Sequence, residues 1–346
     1  MQSRFGRLII AVVLLAAAVA GVVYLQKDSS GDTDALRFAQ LPITYSAVTH
    51  IADANGLYEA EGLDCRTISV PAGPDVVTAI RGTGGGSAHG GGIAITPVVT
   101  MVAAGDTPVI LATTLSSNVR VRLVTFTESG ITEDPATLRG HKIGVVLGTV
   151  GEIYLARLLG LGGLSISDVA TVNGRPADLR NLLLGGDLDA AVLWDPFVTQ
   201  AVREYGEKVA SGAVPSRGEA VVLVDPELYT LAFNVVTTRE KLDANRDGFE
   251  RMLRAVVAAG ERFQDDPQGT QQELEAWLGL QAGDLDNFMS TTDFNVHLDV
   301  PQVEEWLAEE LEWFRGQRPD AIVPDDMSPY VDGSLLEAID PTRVTD

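Results

Sequence analysis

Trp194 and Asp195 are the first candidates for chemistry, because they end the apolar segment GGDLDAAVLWDPF at residues 185–197. A large amphipathic indole at the end of a strand can form one wall of a ligand pocket, or it can fill the core. Asp195 followed by Pro196 is typical of a helix start, with the carboxylate as the N-cap and proline in the first turn. The segment therefore predicts a strand, a short turn and a helix, with both residues at the carboxyl end of the strand.

Gly148 and Thr149 occupy a second turn of the same kind, in the segment GVVLGTVGEIYL at residues 144–155. Backbone N–H groups at the start of a helix can hold a small anion, and Thr149 adds a hydroxyl. The segment lacks the Lys-Ser/Thr pair of a phosphate-binding P-loop and the spacing of a dinucleotide fingerprint. It predicts either contact with a small oxyanion or polar organic group, or a plain tight turn.

Other polar side chains follow predicted strands and complete a set suited to a small-ligand cleft. They are Thr44, Tyr45, Ser46, Thr96, Ser116 and Ser117, and Asn234 in the late segment LAFNVVTT joins them as a candidate. The four histidines and the single cysteine show no metal-ligand spacing, and the sequence contains no nucleophile elbow and suggests no Ser/His/Asp set. We therefore predict ligand-binding residues without catalytic residues, a metal or a cofactor.

The elements that must position these residues are strand-like and helix-like segments that alternate from about residue 36 onward. The alternation restarts near Phe126, and periodic helices replace the strands after LAFNVVTTREKL. This pattern predicts an α/β fold of two lobes, each a mixed sheet flanked by helices, with the late helices covering the first lobe. The glycine-rich segment at residues 81–95 has no lysine after it, so we expect a flexible connection before a short strand.

The N-terminal residues predict export. Arg4 and Arg7 precede the apolar stretch Leu8 to Leu25, and a polar linker follows at residues 26–35. Residues 1–25 are either a cleaved signal peptide or an uncleaved membrane anchor, since the stretch is just long enough to cross a bilayer. The net charge of −23 would repel a phosphate backbone, which makes nucleic acid an unsuitable partner.

Residues 36–345 resemble the substrate-binding proteins of ABC importers for nitrate, sulfonates, taurine and thiamine-precursor pyrimidines. The resemblance rests on the segments IADANGLYEAEGL, VAAGDTPVILATT, LRGHKIGVVLGTVGEIYLARLLGLGG, LLLGGDLDAAVLWDPFVTQA and PDDMSPYVDGSLLEAI. It implies a type II periplasmic-binding-protein fold with a ligand cleft between the lobes. Lobe I would comprise residues 36–125 and 231–346, and lobe II residues 126–230, with crossovers near Val124 to Ser129 and near Leu228 to Ala232.

The resemblance also implies a function. We expect a monomeric periplasmic or extracytoplasmic receptor that captures a small polar ligand, such as a sulfonate, taurine or nitrate, and delivers it to an ABC permease. A sulfonate is favoured, although Tyr45 and Trp194 also suit a flat pyrimidine. His89 and glycines stand where such proteins usually carry an acidic residue, which weakens any ligand contact from that loop. Two alternatives are an enzyme of the menaquinone or thiamine-pyrimidine type, and a membrane-tethered ligand sensor.

Overall fold

The computed structural model describes residues 35–82 and 87–346. The predicted leader at residues 1–25 lies outside the described residues, as does all but the last residue of the predicted linker. Across the described ranges, no helix is both long and apolar enough to cross a membrane.

The first sheet combines strands from early and late parts of the chain. Its strands are β1 (Leu36–Gln40), β2 (Cys65–Ser69), β3 (Gly90–Ala94), β4 (Pro108–Ser117) and β10 (Leu231–Thr238). Their spatial order is β2-β1-β3-β10-β4. The pairs among β1, β2 and β3 are parallel, whereas β10 runs antiparallel to both of its neighbours. The sheet is therefore mixed, as the sequence predicts.

The second sheet comes from one continuous stretch of the chain. Its strands are β5 (Arg122–Phe126), β6 (Lys142–Val145), β7 (Ala170–Asn173), β8 (Ala190–Leu193) and β9 (Ala220–Leu223), in the order β7-β6-β8-β5-β9. The chain first crosses between the sheets before Arg122, earlier than the predicted crossover, because β5 pairs with β8 and β9. It returns between β9 and β10, beside the second predicted crossover.

Helices flank both sheets, which confirms the predicted α/β fold class of two mixed sheets. They are α1 (Ala47–Ala54), α2 (Leu57–Ala60), α3 (Gly73–Arg81), α4 (Ile95–Ala103), α5 (Val150–Leu161), α6 (Pro176–Gly185), α7 (Phe197–Ala210), α8 (Arg239–Ala244), α9 (Arg246–Asp265), α10 (Pro267–Leu278), α11 (Asp286–Ser290), α12 (Val300–Gln317) and α13 (Ser334–Ile339). Two short strands, β11 (Leu298–Asp299) and β12 (Val344–Thr345), pair near the C-terminus.

Helix α9 shows why the late helices cover the first lobe. Its buried residues Phe249, Met252, Leu253 and Val256 recur at helical spacing and form one apolar face. The Asn245 side chain accepts a hydrogen bond from the helix backbone and caps the start. The helix packs against α1, α2 and β4. Each such side chain stabilises the fold by roughly 1.5–3 kcal/mol when it is fully buried.

The glycine-rich segment has a packing role in strand β3. A Cβ atom on Gly91 would stand 2.4 Å from Val76 Cγ1 and 3.0 Å from the Ala39 carbonyl oxygen. Glycine is therefore required for helix α3 to lie directly on the strand. The predicted short strand is present at Gly90–Ala94, and the residues 83–86 that precede it lie outside the described part of the chain.

Candidate functional site

A narrow cleft lies between the two lobes, and residues from both lobes form its walls. Its cavity volume is about 30 Å³. Its lining residues are Leu41, Ile43, Tyr45, Gly73, Ile93, Ala94, Pro97, Thr149, Val150, Trp194, Leu231 and Phe233. The predicted site residues Tyr45, Thr149 and Trp194 thus meet in one place, although they are distant in sequence.

A larger cavity of about 540 Å³ lies elsewhere, between helix α5 and strand β9 of the second lobe. It is lined by Tyr154, Leu161 and Val224 among others, and none of the predicted site residues lines it. We therefore place the candidate ligand site in the cleft, where both lobes contribute, rather than in the larger cavity.

Trp194 follows strand β8 directly and closes the second-lobe side of the cleft. Only 5% of its surface is exposed, so the ring is both a cleft wall and part of the core. Its indole Nε1 is buried and has no hydrogen-bond partner among the described residues. A buried N–H group without an acceptor costs roughly 1–3 kcal/mol, and a ligand oxygen would satisfy it.

Residues 44–46 form a 3-10 turn between strand β1 and helix α1, on the opposite side of the cleft. The Thr44 hydroxyl donates to the Asp195 carbonyl oxygen at 3.0 Å, so it connects the two lobes. The Tyr45 hydroxyl donates to the Arg120 carbonyl oxygen at 3.0 Å, and burial raises the pKa of Tyr45 well above its ordinary range. The Ser46 hydroxyl is buried without a partner in the described structure. Ser46 therefore holds a second uncommitted polar atom, next in sequence to the lining residue Tyr45 but not itself among the lining residues.

The predicted capping role of Asp195 is wrong. Helix α7 begins at Phe197 with Pro196 at its N-cap, and no side chain caps it. The Asp195 carboxylate instead accepts from Arg120 Nη1 at 3.2 Å, from Arg122 Nη2, and from the Thr199 hydroxyl at 3.0 Å. Two guanidinium groups form stronger charge-assisted hydrogen bonds with a carboxylate than a neutral helix amide would.

Arg120 and Arg122 are functional candidates that the sequence analysis missed. Arg120 is 1% exposed, and it donates to the backbone and side-chain oxygens of Asn287 at 3.1 and 3.2 Å. It also contacts Thr291. Desolvation lowers the pKa of Arg120, and the charge of Asp195 opposes that shift. Arg120 therefore joins the second lobe, through Asp195, to helix α11 and the residue that follows it in the first lobe.

The turn before helix α5 confirms the predicted helix start but changes its chemistry. Thr149 is the N-cap, and its hydroxyl oxygen accepts from the Gly151 amide at 3.3 Å. Gly148 has a φ of 72°, which glycine adopts without strain, and its amide donates to the Glu152 carboxylate at 2.7 Å. The Gly148 amide therefore binds the Glu152 carboxylate of the helix that follows it, where the sequence predicted contact with a ligand anion.

The remaining predicted site residues do not line the cleft. Ser116 pairs through its backbone with Asp293, and the Ser117 hydroxyl donates to the Thr291 carbonyl oxygen at 2.9 Å. The Asn234 side chain is buried within the first sheet, where its oxygen accepts from the Thr113 hydroxyl at 2.8 Å. Such partners are those expected of structural residues inside a sheet.

Thr96 lies near a separate buried cluster that includes Tyr229 and Glu310. The Tyr229 hydroxyl donates to Glu310 Oε1 at 3.0 Å. The Thr96 hydroxyl is close enough to lower the pKa of Glu310, although it makes no hydrogen bond of acceptable geometry. Burial is the larger effect, and it raises the pKa of Glu310 to about 7. This cluster borders a cavity of about 120 Å³ at the junction of the lobes.

Residues 43–270, about two thirds of the chain, match the family model described as NMT1/THI5 like. The chain belongs to the NMT1/THI5-like family. The matched range contains the cleft residues from Ile43 to Phe233, and therefore most of the candidate site.

Individual relatives agree with this membership. A putative binding protein of Brucella abortus is 30% identical over 218 residues, which are 63% of this chain and 63% of that protein. The crystal structure of the alkanesulfonate-binding protein SsuA from Xanthomonas axonopodis pv. citri, bound to MOPS, is similar with a TM-score of 0.71 and 20% identity. That similarity covers 88% of this chain and 100% of SsuA, and it shows the shared two-lobed fold.

The family also contains an enzyme. The 4-amino-5-hydroxymethyl-2-methylpyrimidine phosphate synthase of Aspergillus parasiticus is 28% identical to this NMT1/THI5-like chain over 235 residues, 66% of each protein. Fold and family membership alone therefore do not separate a receptor from an enzyme.

Proposed function

We propose that this protein is the extracytoplasmic substrate-binding component of an ABC importer, and that it captures a small polar organic ligand between its lobes. A sulfonate is the favoured class, with taurine and nitrate as related candidates. The similarity to a putative binding protein and to SsuA supports a receptor. The partner would be a permease that accepts the closed, ligand-bound form.

The observation that carries the proposal is the composition of the cleft. Its walls are largely apolar and aromatic, from Tyr45, Trp194 and Phe233 among others. The indole N–H of the lining residue Trp194 is buried without a partner among the described residues, as is the hydroxyl of Ser46, which follows the lining residue Tyr45 in sequence. An apolar pocket with a few convergent polar atoms is the usual form of a small-molecule site.

We infer that the described structure corresponds to a closed arrangement of the lobes. The cleft volume of about 30 Å³ is far below the roughly 300–1,000 Å³ that is usual for a small-molecule pocket. Closure contacts join the lobes, including the hydrogen bond from Thr44 to Asp195 and the ion pair between Arg203 and Asp284. A sulfonate can therefore enter only if the lobes separate and then close again, which is a hinge motion.

The first experiment is a thermal-shift screen followed by calorimetry, with butane-1-sulfonate, taurine, nitrate and 4-amino-5-hydroxymethyl-2-methylpyrimidine as probes. A ligand at a hundredfold excess over its Kd stabilises the native state by about 2.7 kcal/mol. We expect a rise in melting temperature with at least one probe and one binding site per chain. A full series without stabilisation would contradict the proposal.

The second candidate function is an enzyme, which the Aspergillus relative favours. The two functions differ in what happens to the bound probe. A receptor returns it chemically unchanged, so mass spectrometry after prolonged incubation and unfolding should recover the original mass. Recovery of a modified product would favour the enzyme.

A further inference from the structure

The cleft lining contains no charged side chain among the described residues. Arg120 and Arg122 lie close to the lining residue Tyr45, whose hydroxyl donates to the Arg120 carbonyl oxygen at 3.0 Å and whose pKa both arginine charges act to lower against the larger effect of burial. Both guanidinium groups contact the single carboxylate of Asp195. Both guanidinium groups are therefore already paired with a carboxylate of the protein, while Arg122 Nε has no hydrogen-bond partner in the described structure.

Asp195 is held firmly in this position. Only 3% of its surface is exposed, and both of its carboxylate oxygens accept hydrogen bonds, one from Thr199 and the other from the two arginines. The formal charges of two guanidinium groups and one carboxylate leave a net charge of +1 in this cluster. An entering anion would have to compete with Asp195 for the same guanidinium groups.

Small inorganic anions need strong partners when they leave water, because burying an unpaired charge is costly. Among the lining residues, the cleft offers them the neutral donor Trp194 Nε1, which has no partner in the described structure. An organic ligand gains a second contribution, because its apolar part can bury surface against Ile93, Leu231 and Phe233. Nitrate has no such part and cannot obtain that contribution.

We infer that Asp195 is a specificity-determining residue, which occupies the arginines and so reserves the cleft for organic ligands with an apolar body over small inorganic anions. This inference rests on the proposed receptor function and narrows its ligand class. The favoured ligand is a sulfonate with an alkyl or aryl group, and nitrate is disfavoured. Taurine, with a charged amine in place of an apolar end, is also disfavoured.

The test is calorimetry on the wild type and on Asp195→Asn, with butane-1-sulfonate and sodium nitrate as probes. The wild type should bind butane-1-sulfonate at least tenfold more tightly than nitrate. The substitution leaves both arginines without a carboxylate, so Asp195→Asn should bind nitrate at least tenfold more tightly than the wild type does. The matched control is Asp332→Asn, which removes a partly buried carboxylate that is paired with Arg239 at 2.7 Å and does not line the cleft.

A thermal-shift measurement with the same probes covers the case in which Asp195→Asn is too unstable for calorimetry. Nitrate should raise the melting temperature of that variant and leave those of the wild type and Asp332→Asn unchanged. Should the variant fail to fold, the wild-type comparison of the two probes decides alone. Equal wild-type affinities, or nitrate binding that does not increase in a folded Asp195→Asn, would overturn the inference and leave the receptor function standing. Binding of neither probe, nor of any other in the screen, would overturn both.

Discussion

Glu310 gives a pH dependence that can be worked from the structure. The carboxyl group lies on helix α12 with 3% of its surface exposed, and the surrounding protein raises its pKa from 4.5 to about 7. Between these values the unfolded chain releases its proton while the folded chain keeps it. Stability due to this group therefore falls as the pH rises from about 4.5 to about 7, and it is constant above that range.

The magnitude follows from the same two values. At about 1.4 kcal/mol for each pKa unit, complete ionisation of Glu310 costs the folded state roughly 3 kcal/mol. Between pH 5 and pH 8 the expected change is roughly 2 to 3 kcal/mol, because part of the effect falls below pH 5. Thr96, Tyr229 and Arg157 lower the pKa of Glu310 and limit the change, whereas Glu309 adds to it.

The assay is urea unfolding of the wild type and Glu310→Gln at several pH values. Between pH 5 and pH 8, the wild type should lose roughly 2 to 3 kcal/mol of unfolding free energy relative to Glu310→Gln. Glu312→Gln, on the same helix with a side chain that is 61% exposed, is the control and should show no such trend. A pH-independent difference between wild type and Glu310→Gln would refute the reasoning.

Three further predictions concern the cleft and its surroundings. Trp194→Ala should weaken binding of butane-1-sulfonate by roughly 1 to 3 kcal/mol in calorimetry, and unchanged affinity would show that the ring only fills the core. Gly148→Ala should lower the free energy of unfolding by about 1 kcal/mol, because alanine is strained at the positive φ of this position. Gly160→Ala, in the exposed part of helix α5, should instead raise the free energy of unfolding by about 1 kcal/mol. Equal effects of the two substitutions in urea unfolding would contradict the conformational argument. Arg203→Gln should remove the interlobe ion pair with Asp284 and increase the radius of gyration of the ligand-free protein in small-angle scattering, and an unchanged radius would exclude a role in closure.

The parts of the site that could be predicted from the sequence are those set by neighbouring residues. Trp194 follows strand β8, and Thr149 caps helix α5, as local apolar runs and turn residues indicate. The same local reasoning failed for Asp195, whose arginine partners lie 73 and 75 residues away in sequence. Such a pairing depends on the register that places Arg122 opposite Leu193, which periodicity does not show.

Two other residues show what kind of signal was missing. Asn234 follows a strand pattern, but its hydrogen bond to Thr113 depends on how β10 aligns with β4. In the segment EEWLAEELEWF, Glu310 resembles the several acidic residues expected on the surface. It nevertheless lies three residues after the buried Leu307 and seven after the buried Val303. Helical spacing from these apolar residues places it on the buried face, so this position could have been found.

The place of β10 in the first sheet has a consequence for the order in which the protein assembles. This strand fills the gap between β3 and β4, yet it is made only after every strand of the second sheet. A chain ending before Leu231 would hold a complete second sheet beside two open strand edges, which invite pairing with other chains. The second sheet can thus form before the first sheet is complete. Nascent or C-terminally truncated chains should therefore be the forms that most need chaperones.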